Sequence, residues 1–394
     1  MTNRPRTPRR PVVRKFLALA PVASLLLLLS ACASNAPQDT LEPEGPIARK
    51  IDSLVNPVFI IAGIVFLLVE VGTVLLVRRF RAGKDDEGPD ALPPQTHGNF
   101  KLEIAWTIAP AILLAIVGVF TVATLFDVEA AADDATMTVT VVGQQWWWEY
   151  QYDTDLDGTA DFVTANDLVV PAATTVKLEI ESRDVIHSFW IPKLNGKKDA
   201  VPGRTHELTV ESDETGTFVG QCTEYCGLSH AYMRQRLVAV DRADYDAWAA
   251  NQVTDAEMPQ DGQAQAGAEL FTGTCSRCHL VRGVNDQEFE DAGRGDDLVS
   301  GPAPDLTHFA TRGVFAGAIF DLWQTDDPAG IVQWDEIGGT MDTEALEAWL
   351  RDPPAEKPMA AADPESTDIG RGMPDLNLTE EQIDQLVAFF ETLD

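Results

Sequence analysis

The sequence predicts a multidomain chain: a two-helix transmembrane hairpin, an all-β sandwich or barrel, and a small all-α module at the C-terminal end. Three observations lead there. Residues 57–77 and 104–126 are apolar runs long enough to cross a bilayer, and Glu70 is the only ionisable group in either. Beyond Thr136 the apolar period shortens to that of strands. Past residue 266 it lengthens again to a helical one, around Cys275-Ser276-Arg277-Cys278-His279.

Residues 1–31 read as an export signal. Arg4, Arg6, Arg9, Arg10, Arg14 and Lys15 form a basic start with no acid before Cys32. The apolar run that follows, residues 16–29, is too short to span a bilayer comfortably. It leads into Leu29-Ser30-Ala31-Cys32, which resembles the lipobox of bacterial lipoproteins. That resemblance implies a lipid on Cys32 as the first mature residue; the alternative is a signal peptide whose cysteine is incidental. A single acyl chain anchors only marginally. The hairpin of residues 56–127 therefore does most of the anchoring, and residues 32–55 are a tether. Arg78, Arg79, Arg81 and Lys84 lie between the two apolar runs and place that connection in the cytoplasm. The expected location is the bacterial plasma membrane, crossed twice, with both mature termini outside. Glu70 is costly against lipid. It reads either as the partner of a polar group on a neighbouring subunit or as part of a proton path.

The β segment, residues 133–250, has candidate strands at 136–142, 146–152, 168–170, 175–181, 184–191, 207–211, 217–221 and 234–240. Short strands separated by turn signals fit a sandwich or barrel of about a hundred residues. Asp241 then stands where an N-cap belongs, ahead of a short helix to residue 250. Residues 251–265 are polar and read as a linker. In the final module, 266–394, helices are expected at 266–274, 342–350 and 379–393. Thr379 and Gln382 stand at capping-box spacing at the start of the last. The acidic stretch 285–298 reads as a solvated loop.

The formal net charge of −33 argues against nucleic acid and anionic substrates, and favours basic partners. Five cysteines are an odd number for an exported protein. They sort into the lipobox residue, a C-x3-C (Cys222, Cys226) and a C-x2-C-H (Cys275, Cys278, His279), so that no thiol is left over. That sorting points to metals rather than disulfides.

The densest motif is Cys222-Thr-Glu-Tyr-Cys226-Gly-Leu-Ser-His230-Ala-Tyr-Met233. A loop between strands can aim several side chains at one point. Soft thiolates with imidazole and thioether select copper over calcium or magnesium. One Cys, one His and one Met with a distant His describe a mononuclear site. A second cysteine supplies a second bridging thiolate and room for a second copper. The distant imidazole is assigned to His187. A C-x3-C disulfide leaves His230 and Met233 unexplained, and zinc seldom recruits methionine.

On these residues the chain resembles subunit II of the haem–copper oxidases, whose cupredoxin-like domain carries the binuclear CuA centre. The resemblance implies Cys222 and Cys226 as bridging thiolates, His187 and His230 as terminal imidazoles, and Met233 as the weak ligand. It implies that the backbone carbonyl of Glu224 binds copper and that its carboxylate reaches a magnesium or manganese ion shared with the catalytic subunit. Gln145-Trp146-Trp147-Trp148-Glu149-Tyr150 resembles the family's aromatic stretch, in which the position of Trp146 is the surface where electrons enter. Such a cluster is also what core packing looks like. Glu103, in Glu103-Ile-Ala-Trp106, resembles the carboxylate at the mouth of a proton channel; a solvated acid at a helix start reads equally well. Residues 198–204 match the family as a structural or subunit-contacting segment. His97 and His206 receive no metal role.

The C-x2-C-H motif predicts covalent haem c on Cys275 and Cys278 with His279 beneath the iron, in a small cytochrome c fold. Methionine as sixth ligand favours ferrous iron. The candidates are Met341, Met359 and Met373. Arg371-Gly-Met373-Pro374 is similar to the family's distal loop, and Met373 is chosen. Pro304 resembles the proline that packs near the proximal histidine; His308 is not taken as a ligand.

The resemblance implies a relay: an external donor, such as a cytochrome c or a cytochrome bc complex, then haem c, then CuA, then haem a of subunit I, where oxygen reduction is coupled to proton pumping. Subunits I and III are the implied partners. Nitrous oxide reductase also carries CuA but needs a second, histidine-rich copper cluster, which six histidines cannot supply. A quinol oxidase subunit usually lacks the copper ligands and the haem module. A membrane-anchored copper chaperone or free-standing carrier has no use for Glu103, Glu224 and the helix pair.

Overall fold

The computed structural model describes residues 36–81, 97–130, 135–154, 157–291, 303–359 and 371–394. Cys32, Lys84 and the export signal lie outside the described residues.

Helices α1 (Pro46–Arg79) and α2 (Phe100–Glu129) form the hairpin, and both are long and apolar enough to cross a membrane. The expected core of each is right and each runs longer at both ends. Residues 46–55, read as part of the tether, are the first turns of α1. Ile47 and Ala48 are buried, and Arg49 makes a two-pronged ion pair with Asp213 of the β domain. Backbone bonds between Glu44 and Lys193 (2.9 Å) and between Asp213 and Glu44 (3.0 Å) fix the same junction. A helix so pinned continues outward past the apolar run. At the other end Asn99 caps α2, its side chain accepting from the amides of Lys101 and Leu102.

The β domain holds β1 (Met137–Gln144), β2 (Trp147–Asp153), β3 (Phe162–Ala165), β4 (Asp167–Pro171), β5 (Val176–Ser182), β6 (His187–Phe189), β7 (Lys198–Ala200), β8 (His206–Val210), β9 (Gly216–Gln221) and β10 (Arg234–Val240). A five-stranded sheet β3-β2-β1-β5-β8 faces a three-stranded sheet β4-β10-β9, with β6-β7 as a separate ribbon. The sandwich is confirmed. Two short strands, β3 and β7, escaped the sequence pattern. The expected strand 184–191 reduces to three residues, because the chain turns at 183–185 before His187. Trp148, Tyr150 and Tyr152 are fully buried between the sheets, and the Tyr152 hydroxyl donates to the Val169 carbonyl (3.0 Å) across them. A helix, α3 (Arg242–Gln252), closes the domain; Asp241 occupies its N-cap position without a side-chain bond.

The last module contains α4 (Gly262–Thr274), α5 (Asp286–Asp291), the strands β11 (Val314–Phe315) and β12 (Phe320–Asp321), α6 (Thr343–Arg351), α7 (Pro353–Glu356) and α8 (Glu380–Phe390). Part of the stretch read as an acidic loop is therefore the helix α5, held by Phe289, which is buried. The hairpin β11–β12 was not expected at all. Helices α4 and α8 cross closely at Gly267, where a Cβ would collide with the Gln385 carbonyl. Phe271 packs there on Phe389 (centroids 5.5 Å apart). The predicted capping box of α8 forms, Thr379 and Gln382 each accepting from the other's backbone.

The two extramembrane modules meet over a polar, buried seam. Asp167 and Arg236 pair at 2.8 Å in the β domain, and the Gly313 amide of the C-terminal module donates to the same carboxylate at 2.7 Å. Arg236 also donates to the Val332 carbonyl (3.1 Å) and the Arg234 amide to the Gly317 carbonyl (2.9 Å).

Candidate metal and haem centres

His187 stands on β6, and the loop from β9 to β10 carries the other candidate copper ligands. The two sulfurs Cys222 Sγ and Cys226 Sγ are 3.8 Å apart, both thiols free and buried. His230 Nδ1 lies 3.6 Å from Cys226 Sγ, and Met233 Sδ lies 3.8 Å from it. His187 Nδ1 is 3.1 Å from Met233 Sδ. The Glu224 carbonyl comes within 3.3 Å of Cys222 Sγ while its carboxylate side is exposed. The ligand atoms of His187, Cys222 and Cys226 all lie within 4.8 Å of one another. Cys222, Cys226, His187 and Met233 are thus buried together with the half-buried His230 at their edge, a soft donor set that suits copper, while the Glu224 side chain is exposed and only its carbonyl comes near.

Electrostatics prepare the cluster. The bond between the two sulfurs lowers the Cys222 thiol well below its ordinary value and raises that of Cys226; His187 adds to the lowering. Burial alone lowers the His187 imidazole, but the bond to Asp184 (Nε2 to Oδ1, 2.8 Å) and the nearby Cys222 outweigh it, and the net direction is upward. Asp184 holds the ring with Nδ1 facing the sulfurs, an orienting role common beside metal-binding histidines. Sequence reading missed this residue, although its place three positions before His187 was the available signal. Gln145 Nε2 and Trp146 Nε1 both donate to the Cys226 carbonyl (2.7 and 3.1 Å), fixing the loop from outside.

The C-terminal module presents the second centre. Cys275 and Cys278 are free and half-buried at the end of α4, and Cys275 lies against the core that also contains Phe271 and Val281. His279 Nδ1 is 2.8 Å from the Pro304 carbonyl, which leaves Nε2 for a metal, and burial lowers this imidazole below its ordinary value. Two thiols and an oriented imidazole at this spacing fit haem c. Met373 packs half-buried against the same core as Cys275, and Met341 is a buried member of that core, paired with Trp323. Met359 rests on Gly372. Both ring nitrogens of His308 are taken, by the Asp394 and Thr254 carbonyls (each 3.0 Å), which removes it as a ligand. His206 Nδ1 is likewise occupied by the Asp199 carbonyl (2.7 Å).

Trp146, only 3% exposed, stands where the copper loop meets the C-terminal module. Its carbonyl accepts from Lys357 Nζ (2.6 Å), and the same ammonium donates to the Ala316 carbonyl (2.9 Å). Burial pushes the Lys357 ammonium down to about 7. Nothing in the sequence pointed to this lysine. Glu103 lies in the exposed first turn of α2, far in sequence from either centre.

Comparison with known proteins follows this geometry. Three family descriptions match in succession: "Cytochrome C oxidase subunit II, transmembrane domain" over residues 38–124, "Cytochrome C oxidase subunit II, periplasmic domain" over 157–240, and "Cytochrome c" over 264–394. Cytochrome c oxidase subunit 2 of Alkalihalophilus pseudofirmus is 32% identical over 381 residues, covering 95% of this chain and 96% of that protein. The chain belongs to the cytochrome c oxidase subunit II family. The subunit of Bacillus sp. strain PS3 is also 32% identical, over 94% of this chain and 95% of its own length. A solved periplasmic domain of subunit II from Bradyrhizobium japonicum shares 31% identity, covers 30% of this chain and 94% of its own, and has a TM-score of 0.28. Membership makes this a membrane-bound part of a terminal oxidase, an oxidoreductase complex that also contains subunit I. The periplasmic domain implies a CuA copper centre, and the cytochrome c domain implies haem.

Proposed function

We propose that this chain is the subunit through which electrons reach the oxidase, receiving them on its own haem c and delivering them to subunit I. One observation carries the reading: two thiols, two imidazoles, a thioether and a backbone carbonyl converge in one largely buried cluster, in a chain whose next module carries the C-x2-C-H motif. When bound, haem c and the copper pair supply one-electron chemistry linking an external donor, a cytochrome c or a cytochrome bc complex, to haem a.

The chain's residues supply position. Cys222, Cys226, His187, His230, Met233 and the Glu224 carbonyl are the residues that would hold copper. Asp184 orients His187. Cys275 and Cys278 would carry the haem, with His279 and Met373 as its iron ligands, and Pro304 orients His279. A buried, prearranged set limits movement on redox change, as electron transfer requires. The exposed Glu224 carboxylate is available to a magnesium or manganese ion at the contact with subunit I. Val185, Ile186, Tyr225 and Leu228 are exposed apolar side chains on or next to the copper-ligand segments, and they suit burial against that subunit. Glu103 is assigned to the mouth of a proton path in the same partner, and subunit III completes the complex. The β and haem modules stand outside the plasma membrane, with Cys32 lipidated; mass spectrometry of the mature N-terminus tests that.

The deciding experiment is metal analysis with an optical spectrum on the intact, purified chain. Two coppers and one haem that survives denaturation are expected per chain. A sulfur–sulfur bond between Cys222 and Cys226 in the native, metal-replete protein overturns the copper assignment.

A further inference from the structure

Lys357 is a long amine side chain buried to 3% exposure at the seam between the two modules. Among the described residues no carboxylate pairs with it. Burying a charge without a counter-charge costs several kcal/mol as an order of magnitude, unless its donors are satisfied. Here two of its three N–H donors go to backbone carbonyls from different modules: Trp146 of the copper domain at 2.6 Å and Ala316 of the haem module at 2.9 Å. A leucine or methionine fills such a position more cheaply if packing is all that is required.

The surroundings share one purpose. Gly317, at φ +79°, brings the β11–β12 turn against the copper domain, where a Cβ would stand 2.7 Å from the Trp146 carbonyl and would collide with Lys357 Nζ. Next to Lys357, the Pro358 carbonyl accepts from the Ser229 hydroxyl of the copper loop. On the copper side, Trp146 Nε1 donates to the carbonyl of Cys226, a member of the metal cluster, at 3.1 Å. Lys357 therefore bridges the haem module to the residue that itself buttresses the copper loop.

We propose that Lys357 is the positioning residue that docks the haem module on the copper domain at Trp146 and so sets the distance for electron transfer between the two centres. The inference rests on the relay reading given above. Lys357 neither gives nor takes an electron or a proton. It holds the contact at which one electron leaves one centre and arrives at the other. The same contact covers Trp146, so an external donor meets the haem module rather than the copper domain.

The test uses the whole oxidase with Lys357→Met and, independently, Gly317→Ala, which presses on the contact from the opposite side. Hydrogen exchange at the Arg234 and Gly313 amides reads docking without reference to activity, since both amides bond across the seam. Rapid-mixing spectroscopy separates reduction of the haem by an external cytochrome c from onward transfer to copper. In both variants the seam amides exchange faster and the onward step slows by about tenfold or more, because small misplacements of reacting partners are expensive. Haem reduction and the optical signatures of both centres stay as in the unaltered oxidase. If Lys357→Met fails to assemble both centres, Gly317→Ala decides alone. Unchanged exchange with an onward rate within twofold of the parent overturns the role of Lys357. Absence of onward transfer in the unaltered oxidase instead overturns the relay itself.

Discussion

Asp167 and Arg236 form a two-pronged ion pair, Oδ1 to Nε at 2.8 Å and Oδ2 to Nη2 at 3.0 Å, and the carboxylate also takes the amide of Gly313 from the neighbouring module. Both side chains are almost wholly buried. The pair joins β4 to β10 and seats the haem module at once. Removing one partner leaves a buried charge alone. Arg236→Met is expected to destabilise the β domain by about 3–5 kcal/mol, and Asp167→Leu with Arg236→Met together by much less. Chemical denaturation followed by tryptophan fluorescence measures the difference; equal losses for single and double variants contradict it.

Asp321 lies 3.7 Å from Arg236 on the other side of this pair. Burial raises its carboxyl to about 6, against the pull of Arg236 and with a further push from Asp167. A carboxyl raised above its ordinary 3.8 stabilises the fold below that pH, and the contribution is lost as pH climbs through about 6. Asp321→Asn should therefore match the parent near pH 4 and melt higher than it at pH 7. Thermal melts across that interval check the sign; a variant less stable at pH 7 refutes it.

The Asp184–His187 bond gives a metal-affinity prediction. Asp184→Asn is expected to weaken copper retention by about 10–100-fold, with the protein still folded. Competition against a graded copper chelator measures it. Retention equal to the parent removes Asp184 from the site.

At the haem, Met373→His should lower the reduction potential by an amount on the order of a few hundred millivolts, since axial ligand identity is a principal lever on haem potential. Met359→Leu should leave it nearly unchanged. Spectroelectrochemical titration of both variants distinguishes them, and the reverse pattern moves the sixth ligand to Met359.

How much of this was legible in the sequence follows from the range of each signal. The hairpin, the sandwich and the helical module were readable because apolar periodicity is local. Their ends were not: α1 starts at Pro46 because Arg49 meets Asp213, far along the chain. Strands β3 and β7 hid because they are short and depend on a partner for their pattern.

The candidate copper and haem residues stand out because ligand chemistry forces particular residue types into tight spacing: Cys222, Cys226, His230 and Met233 on one loop, Cys275, Cys278 and His279 on one turn. What that spacing cannot carry is the meeting of distant segments. Only the folded chain decides that Asp184 aims His187 and that Lys357 bridges Trp146 to Ala316. Those are contacts between backbone carbonyls, carboxylates and single side chains brought together by packing, and a carbonyl is the same in every residue. Residue type told which metals this protein is built for; tertiary packing alone set how its two redox modules face each other.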